Sequence, residues 1–409
     1  MLAGIVLIGS TLSLGSSSVS ITSSGVVSTI LPLHVSGDQI LNAANQSVIL
    51  RGVNLGDFQA SVGGEWEGTW ITSYSQWISD IALVNATLAA AQSWGANAVR
   101  SHYAVDFWTE NTSGFIPIIK SYAKLLASRG MYLIFDGYQV VDYGHGGNQD
   151  PLPYPPYQAN TTSGRGSTVI NPATIIPSQA AYVNYMISVA EALKNYPNVI
   201  IEFWNEPMAP VNESQTQPPW VTSGFLRCIQ NITTQVRALG INNILLAQWD
   251  SIIWINLNYP PAPPPAKNGN FWPGVGGNQA GVLEWIPEMN LNGTNIAYSF
   301  HDYDSCGQNV TYSQVITGLT DLWIPYILNT VQKPLICGEV GANLDWTGVQ
   351  LTEELNQFNY TLQAFRYFGI GFFTFGFFEG TAYGEISSYA PNWTPTSAGV
   401  IAEWNLLRV

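Results

Sequence analysis

Charge is what this sequence has least of. Only 10% of its 409 residues are Asp, Glu, Lys or Arg, against roughly a quarter in ordinary soluble proteins. Cations are the scarcest: 13 Lys and Arg face 27 Asp and Glu, for a formal net charge of -14. Such a surface matches phosphate backbones and anionic lipid poorly, so nucleic acid is not an expected partner. Cysteine is nearly missing. Cys228, Cys306 and Cys337 show no metal-ligand spacing, and three thiols cannot all pair within one chain. Cys306 and Cys337 fall near the tops of adjacent strands in the reading below and are expected to meet, whereas Cys228 lies in a helical pattern as a small buried hydrophobe. The apolar stretch over residues 1–14 is too short to span a bilayer comfortably, so no stable membrane insertion is expected beyond an N-terminal leader.

That stretch is followed by a Ser-rich segment to residue 28, and no Lys or Arg precedes Arg51. It reads as an export leader without the usual positive start, or as a surface tether. The chain then divides into a leader over 1–35 and one folded unit over 36–409. Asn-x-Ser/Thr sequons at Asn45, Asn85, Asn111, Asn160, Asn212, Asn231, Asn292, Asn309, Asn359 and Asn392 point the same way, to an extracellular, glycosylated protein. In strong acid the carboxylates would be neutral and only the 13 Lys and Arg and 4 His would carry charge. Self-repulsion would then stay small, which suits an acidic habitat as well as an ordinary secreted surface.

An apolar content of 46% is ample for a core, and hydrophobic periodicity alternates between strand and helix. Strands are expected over 48–54, 96–102, 131–136, 198–204, 243–249, 295–303, 334–340 and 369–377. Helices are expected over 73–93, 115–128, 178–195, 220–239, 353–367 and 396–407, with a small hairpin over 37–46 plugging the bottom of a barrel. This is an α/β pattern, a single (β/α)8 TIM barrel. Two connections, 142–177 after strand 3 and 256–285 after strand 5, exceed a turn. Both follow the C-terminal end of a strand and are candidate cleft walls, or else disordered Pro-rich insertions.

Chemistry in a barrel sits at the C-terminal strand ends. The run Ile200-Ile201-Glu202-Phe203-Trp204-Asn205-Glu206-Pro207 ends in an amide, an acid and a proline, and Cys337-Gly338-Glu339-Val340-Gly341 offers a second carboxylate. Two such Glu residues suggest glycoside cleavage. Other strand ends add Asn54, Arg100, His102, Asp136, Tyr138, Trp249, His301 and Tyr303 to the same cavity. The chain from Ile40 onward resembles glycoside hydrolase family 5, the cellulase and mannanase family. The likeness rests on Leu50-Arg51-Gly52-Val53-Asn54, Ala96-Asn97-Ala98-Val99-Arg100, the Asn-Glu-Pro at 205–207, His301-Asp302-Tyr303 and Gly338-Glu339-Val340-Gly341, in the family's order.

The resemblance implies that Glu339 is the nucleophile, Glu206 the acid/base and 36–409 the catalytic domain. It also implies that Asn205 bonds the sugar 2-hydroxyl, Tyr303 steadies Glu339, His301 binds hydroxyls and Arg100 lowers the pKa of Glu339. Asp136, Tyr138, His102, Trp249, Trp346 and Phe375 are further candidates for substrate contact, and Trp66, Trp70 and Trp272 fall in or beside proposed cleft loops. Two positions depart from the family pattern. Tyr138 stands where strand 3 usually brings a His, and Phe375 is the substitute for an absent Trp platform on strand 8. Both leave substrate identity more open than reaction type.

The expectation is thus a secreted, monomeric, retaining endo-β-1,4-glucanase acting on a polysaccharide without metal or organic cofactor. Mannan or xylan hydrolysis, exo-acting β-glucanase or transglycosylase activity, a surface glycan-binding barrel and a structural envelope protein are the alternatives.

Overall fold

A computed structural model describes residues 30–55, 74–104, 112–138, 179–205, 225–252, 290–303, 310–321, 324–379, 382–388 and 391–408. Residues 1–29 of the leader, both long connections, Trp66, Trp70, Glu206, Trp272 and Cys306 lie outside these residues.

Eight parallel strands close a barrel in sequence order. They are β1 Arg51–Leu55, β2 Ala98–Ala104, β3 Tyr132–Tyr138, β4 Val199–Glu202, β5 Leu245–Ile252, β6 Ile296–Asp302, β7 Leu335–Val340 and β8 Gly371–Thr374. Closure is made where Phe372 and Phe373 of β8 pair with Arg51 and Gly52 of β1. Helices pack outside: α1 Tyr74–Ser93, α2 Thr112–Ser128, α3 Gln179–Leu193, α4 Phe225–Ala238, α5 Tyr312–Asp321, α6 Gly348–Phe368 and α7 Ser397–Leu407. The (β/α)8 expectation is therefore met. Strands covered on both faces are apolar at nearly every position, which is why these segments read as continuous Val/Ile/Leu runs.

The alternation of side chains divides that apolar content into two cores. On β4, Val199 and Ile201 belong to the large outer core against the helices. Ile200 points inward and joins Ile134, Leu246, Ala297, Ile336 and Phe373 in the barrel interior. A hairpin, Leu33–Ser36 paired with Gln39–Asn42, closes the bottom of that interior, contributing Leu33 and Ile40. Its two-residue turn places Gly37 at φ +61°, where a side chain would be strained. Val35 N donates to Asn295 Oδ1 at 3.0 Å, and Tyr132 Oη to the Leu31 carbonyl at 3.0 Å, fastening the plug to the barrel.

Several boundaries move from their expected places. The eighth strand begins at Gly371, because Gly369 is the left-handed cap of α6, with φ 70° and its N–H on the Arg366 and Phe365 carbonyls. Helix α6 begins at Gly348, five residues ahead of the apolar periodicity that marks it in the sequence. Between β6 and β7, where no helix was expected, stand α5 and a π-helical turn, Tyr326–Val331. Pro325 precedes that turn and breaks the apolar pattern into pieces too short to read. A short ribbon, Ile386–Ser388 with Thr394–Pro395, follows β8. No helix among the described residues is long and apolar enough to cross a membrane.

Candidate active site

The inward positions turn polar toward the C-terminal end of the barrel. Stepping by two along β2 gives Ala98, Arg100 and His102; along β3, Ile134 and Asp136; along β4, Ile200 and Glu202. Arg100 lies at the centre with none of its surface exposed. A lone guanidinium there would be strongly disfavoured, but each of its N–H donors meets an oxygen. Nε donates to Glu202 Oε2 at 2.7 Å, Nη1 to Glu339 Oε1 at 2.8 Å and Asn54 Oδ1 at 3.1 Å. Nη2 donates to Asp136 Oδ2 and to Asn205 Oδ1, both at 2.9 Å. One cation thus gathers residues from β1, β3, β7 and the end of β4.

Glu339 is the acid of this group that reaches the surface. It keeps 5% exposure, whereas Asp136 and Glu202 have none. Its other oxygen, Oε2, accepts from Tyr303 Oη at 2.6 Å. His301 Nδ1 lies 3.4 Å from Oε2, and His102 Nε2 lies 3.3 Å from Oε1. Burial alone would raise the Glu339 pKa, but the surrounding imidazoles and Arg100 hold it well below the usual carboxylate range. Burial lowers His301 to about 3, so at moderate pH that ring is neutral and Arg100 is the permanent cation beside Glu339. Burial acts the other way on Glu202, and with Asp136 nearby raises it to about 7 despite Arg100.

Gly338 makes room for this arrangement. A Cβ there would lie 2.9 Å from Ser299 Oγ, 3.0 Å from His301 Nε2 and 3.3 Å from Arg100 Nε. The Gly338 carbonyl also accepts from Asn54 Nδ2 at 2.9 Å. Between Phe300 and His301 the β6–β7 register shifts, so that Phe300 pairs with Cys337 and His301 with Glu339.

Of the residues singled out in the sequence, the structure brings Arg100, His102, Asp136, Asn205, His301, Tyr303 and Glu339 together. Phe375 is 6% exposed and packs edge-to-face on Tyr303, with ring centroids 5.8 Å apart, so it supports the ring that steadies Glu339. Trp346 is half-buried just after β7. Tyr138 and Trp249 stand on β3 and β5, but their side chains, like the whole of Glu206, are outside the described residues. Cys337 is a buried free thiol 3.1 Å from the Glu339 carbonyl, and Cys306, its expected neighbour, is again outside.

Sequence reasoning missed Glu202 and Glu385. Glu202 was within reach: it stands two residues beyond inward-facing Ile200, so strand alternation places it inside. Glu385, after β8, accepts from Thr374 Oγ1 at 2.9 Å and is raised by burial to about 8. No periodic signal marks it.

Comparison with known proteins agrees with this fold. The family model described as Cellulase (glycosyl hydrolase family 5) matches residues 42–373. Among solved structures, the β-glucanase SdGluc5_26A from Saccharophagus degradans is similar at 15% identity and TM-score 0.61, covering 93% of this chain and 94% of that one. An endocellulase from Pyrococcus horikoshii matches at 15% identity and TM-score 0.58, covering 92% and 99%. A mannanase catalytic domain from Streptomyces sp. SirexAA-E matches at 16% identity and TM-score 0.51, covering 97% and 92%. At such identities these structures show the fold. No curated protein matches the chain.

Proposed function

The chain belongs to glycosyl hydrolase family 5, and from that premise we propose that it is a secreted, retaining endo-glycosidase that hydrolyses β-1,4-linked glucan. The observation that carries this reading is Glu339, fixed at the end of β7 by Arg100 at 2.8 Å and Tyr303 at 2.6 Å, with Arg100 also holding Asn205, the residue before Glu206. Glu339 attacks the anomeric carbon as the glycosidic C–O bond breaks, and Glu206 gives its proton to the departing oxygen. Water, deprotonated by Glu206, then cleaves the glycosyl ester and restores both carboxyl groups. Asn205 bonds the 2-hydroxyl, and His301 faces the hydroxyls of the same ring. The two carboxyl groups must then stand about 5–5.5 Å apart.

A glucan is favoured because the first similar structures are named for glucanase and endocellulase activity; the mannanase keeps mannan as the second substrate. Export is supported by the leader-like start and by exposed sequon asparagines at Asn45, Asn231, Asn292 and Asn392.

The test is hydrolysis of cello-oligosaccharides, carboxymethyl-cellulose, mannan and xylan, with the anomer of the first product read by proton NMR. The expected result is internal cleavage of the glucan with β-product first, and loss of about 100-fold or more in Glu206→Gln on unactivated substrate. First-formed α-product would contradict retention, unimpaired Glu206→Gln would remove Glu206 as the acid/base, and glycan binding without hydrolysis of any of these substrates would favour a glycan-binding role for the barrel.

A further inference from the structure

His102 stands two residues past Arg100 on the same strand, so both side chains enter the barrel. Its ring lies between two carboxylates from other strands. Nδ1 is 2.6 Å from Asp136 Oδ2, and Nε2 is 3.3 Å from Glu339 Oε1. Strand pairing fixes the first contact, since His102 and Asp136 are register partners on β2 and β3. A carboxylate can only accept, so Nδ1 carries a proton toward Asp136.

Nε2 lies 3.3 Å from Glu339 Oε1 and 3.3 Å from Arg100 Nη1. The protons of Nη1 are directed at Glu339 Oε1 and Asn54 Oδ1, at 2.8 and 3.1 Å, and the carboxylate oxygen is the acceptor that a proton on Nε2 meets.

We propose that His102, anchored by Asp136, is a positioning residue for the nucleophile, doubly protonated and donating from Nε2 to Glu339 Oε1. The inference rests on the reading of Glu339 as the nucleophile, and it goes beyond sugar contact as the expected role of His102. The ring keeps both protons throughout. When the Glu339–anomeric carbon bond forms and the glycosidic C–O bond breaks, the proton that moves is that of Glu206, and His102 continues to hold Oε1.

Among the described residues, each charged or titratable group facing this pair supports or opposes it in a definite way. From β2, Arg100 disfavours a second cation. From β3 and β7, Asp136 and Glu339 favour it, while Glu202 on β4, raised to about 7, is largely neutral near pH 6. From β6, His301 is neutral and Tyr303 is a donor to the other oxygen of Glu339. Among these opposing influences, with burial the largest and Arg100 next, the bonds to Asp136 and Glu339 still leave the His102 pKa above its ordinary value. The carboxylates thus outweigh the guanidinium.

Two measurements test this. With only 4 His in the chain, nitrogen-15 NMR of histidine-labelled protein near pH 6, assigned by His102→Asn, reads the ring directly and needs no substrate. Both nitrogens are expected protonated, and a neutral ring overturns the proposal whatever the enzyme hydrolyses. The second is the pH profile of kcat/KM. Removing this donor in His102→Asn is expected to raise the acidic limb by about one pH unit and lower kcat about 10-fold, with KM changed less than kcat. Asp136→Asn should shift the limb in the same direction. An unmoved acidic limb, or an effect confined to KM, overturns the positioning role. If neither variant folds, the wild-type spectrum, assigned by its pH titration against buried, neutral His301, decides alone.

Discussion

Arg100 shows how a charge can sit at the centre of a barrel: three carboxyl groups and two amide oxygens take its five N–H donors. Of those partners, Glu202 has the clearest titration signature. Its pKa is raised to about 7 by burial, so the folded state prefers the neutral acid. That preference stabilises the protein fully below the ordinary carboxylate pKa and is lost as pH rises through about 7. Glu202→Gln, which fixes the neutral form, should therefore be less sensitive to alkali. Urea unfolding at intervals between pH 4 and 8 checks this: the wild type should lose stability relative to the variant as pH rises, and parallel curves would show that Glu202 does not titrate there.

At the scale of elements, the site depends on how closely β7 approaches its neighbours. Gly338 lacks the atom that would meet Ser299, His301 and Arg100, so Gly338→Ala should cost about 1–3 kcal/mol through overpacking. It should also displace Arg100 or His301, reducing kcat more than KM. Thermal unfolding with steady-state kinetics tests it, and a variant of wild-type stability and rate would show that the strand gives way cheaply.

The strands themselves were legible in the sequence because barrel strands buried on both faces are short apolar runs ending in Arg100, Asp136, Asn205, His301 and Glu339. The positions facing one cavity followed from alternation. The helices between β6 and β7 were not legible, because Pro325 and the π-helical turn interrupt their period, and neither was the start of β8, where a helix cap carries the same Gly that opens a strand pattern. Glu202 lies within the apolar run of β4 rather than at its polar end, so strand alternation alone marks it as inward. The five-way sharing of Arg100 links positions up to 239 residues apart, which no local pattern encodes.

Over the whole molecule, few charges and several buried titratable groups set the response to pH. Glu385, raised to about 8, and Glu202 stabilise the fold as pH falls from alkaline values toward about 4.5. His301, lowered to about 3, opposes this: its contribution is complete above about 6.5 and is lost as pH falls. Glu339, held low, joins that loss only once pH falls below the ordinary carboxylate range. Stability should peak on the acidic side of neutrality, between roughly pH 4.5 and 6.5. Thermal unfolding from pH 2 to 9 measures it, and a maximum above pH 8 would contradict this ledger of groups.

The account as a whole turns on Glu339 forming a bond to sugar. Incubation with an activated 2-deoxy-2-fluoro-β-cellobioside, followed by proteolysis and mass spectrometry, reads that bond directly. The expected result is a single fluoroglycosyl adduct on Glu339, formed as activity is lost; an adduct on another residue, or inactivation without any adduct, would contradict it.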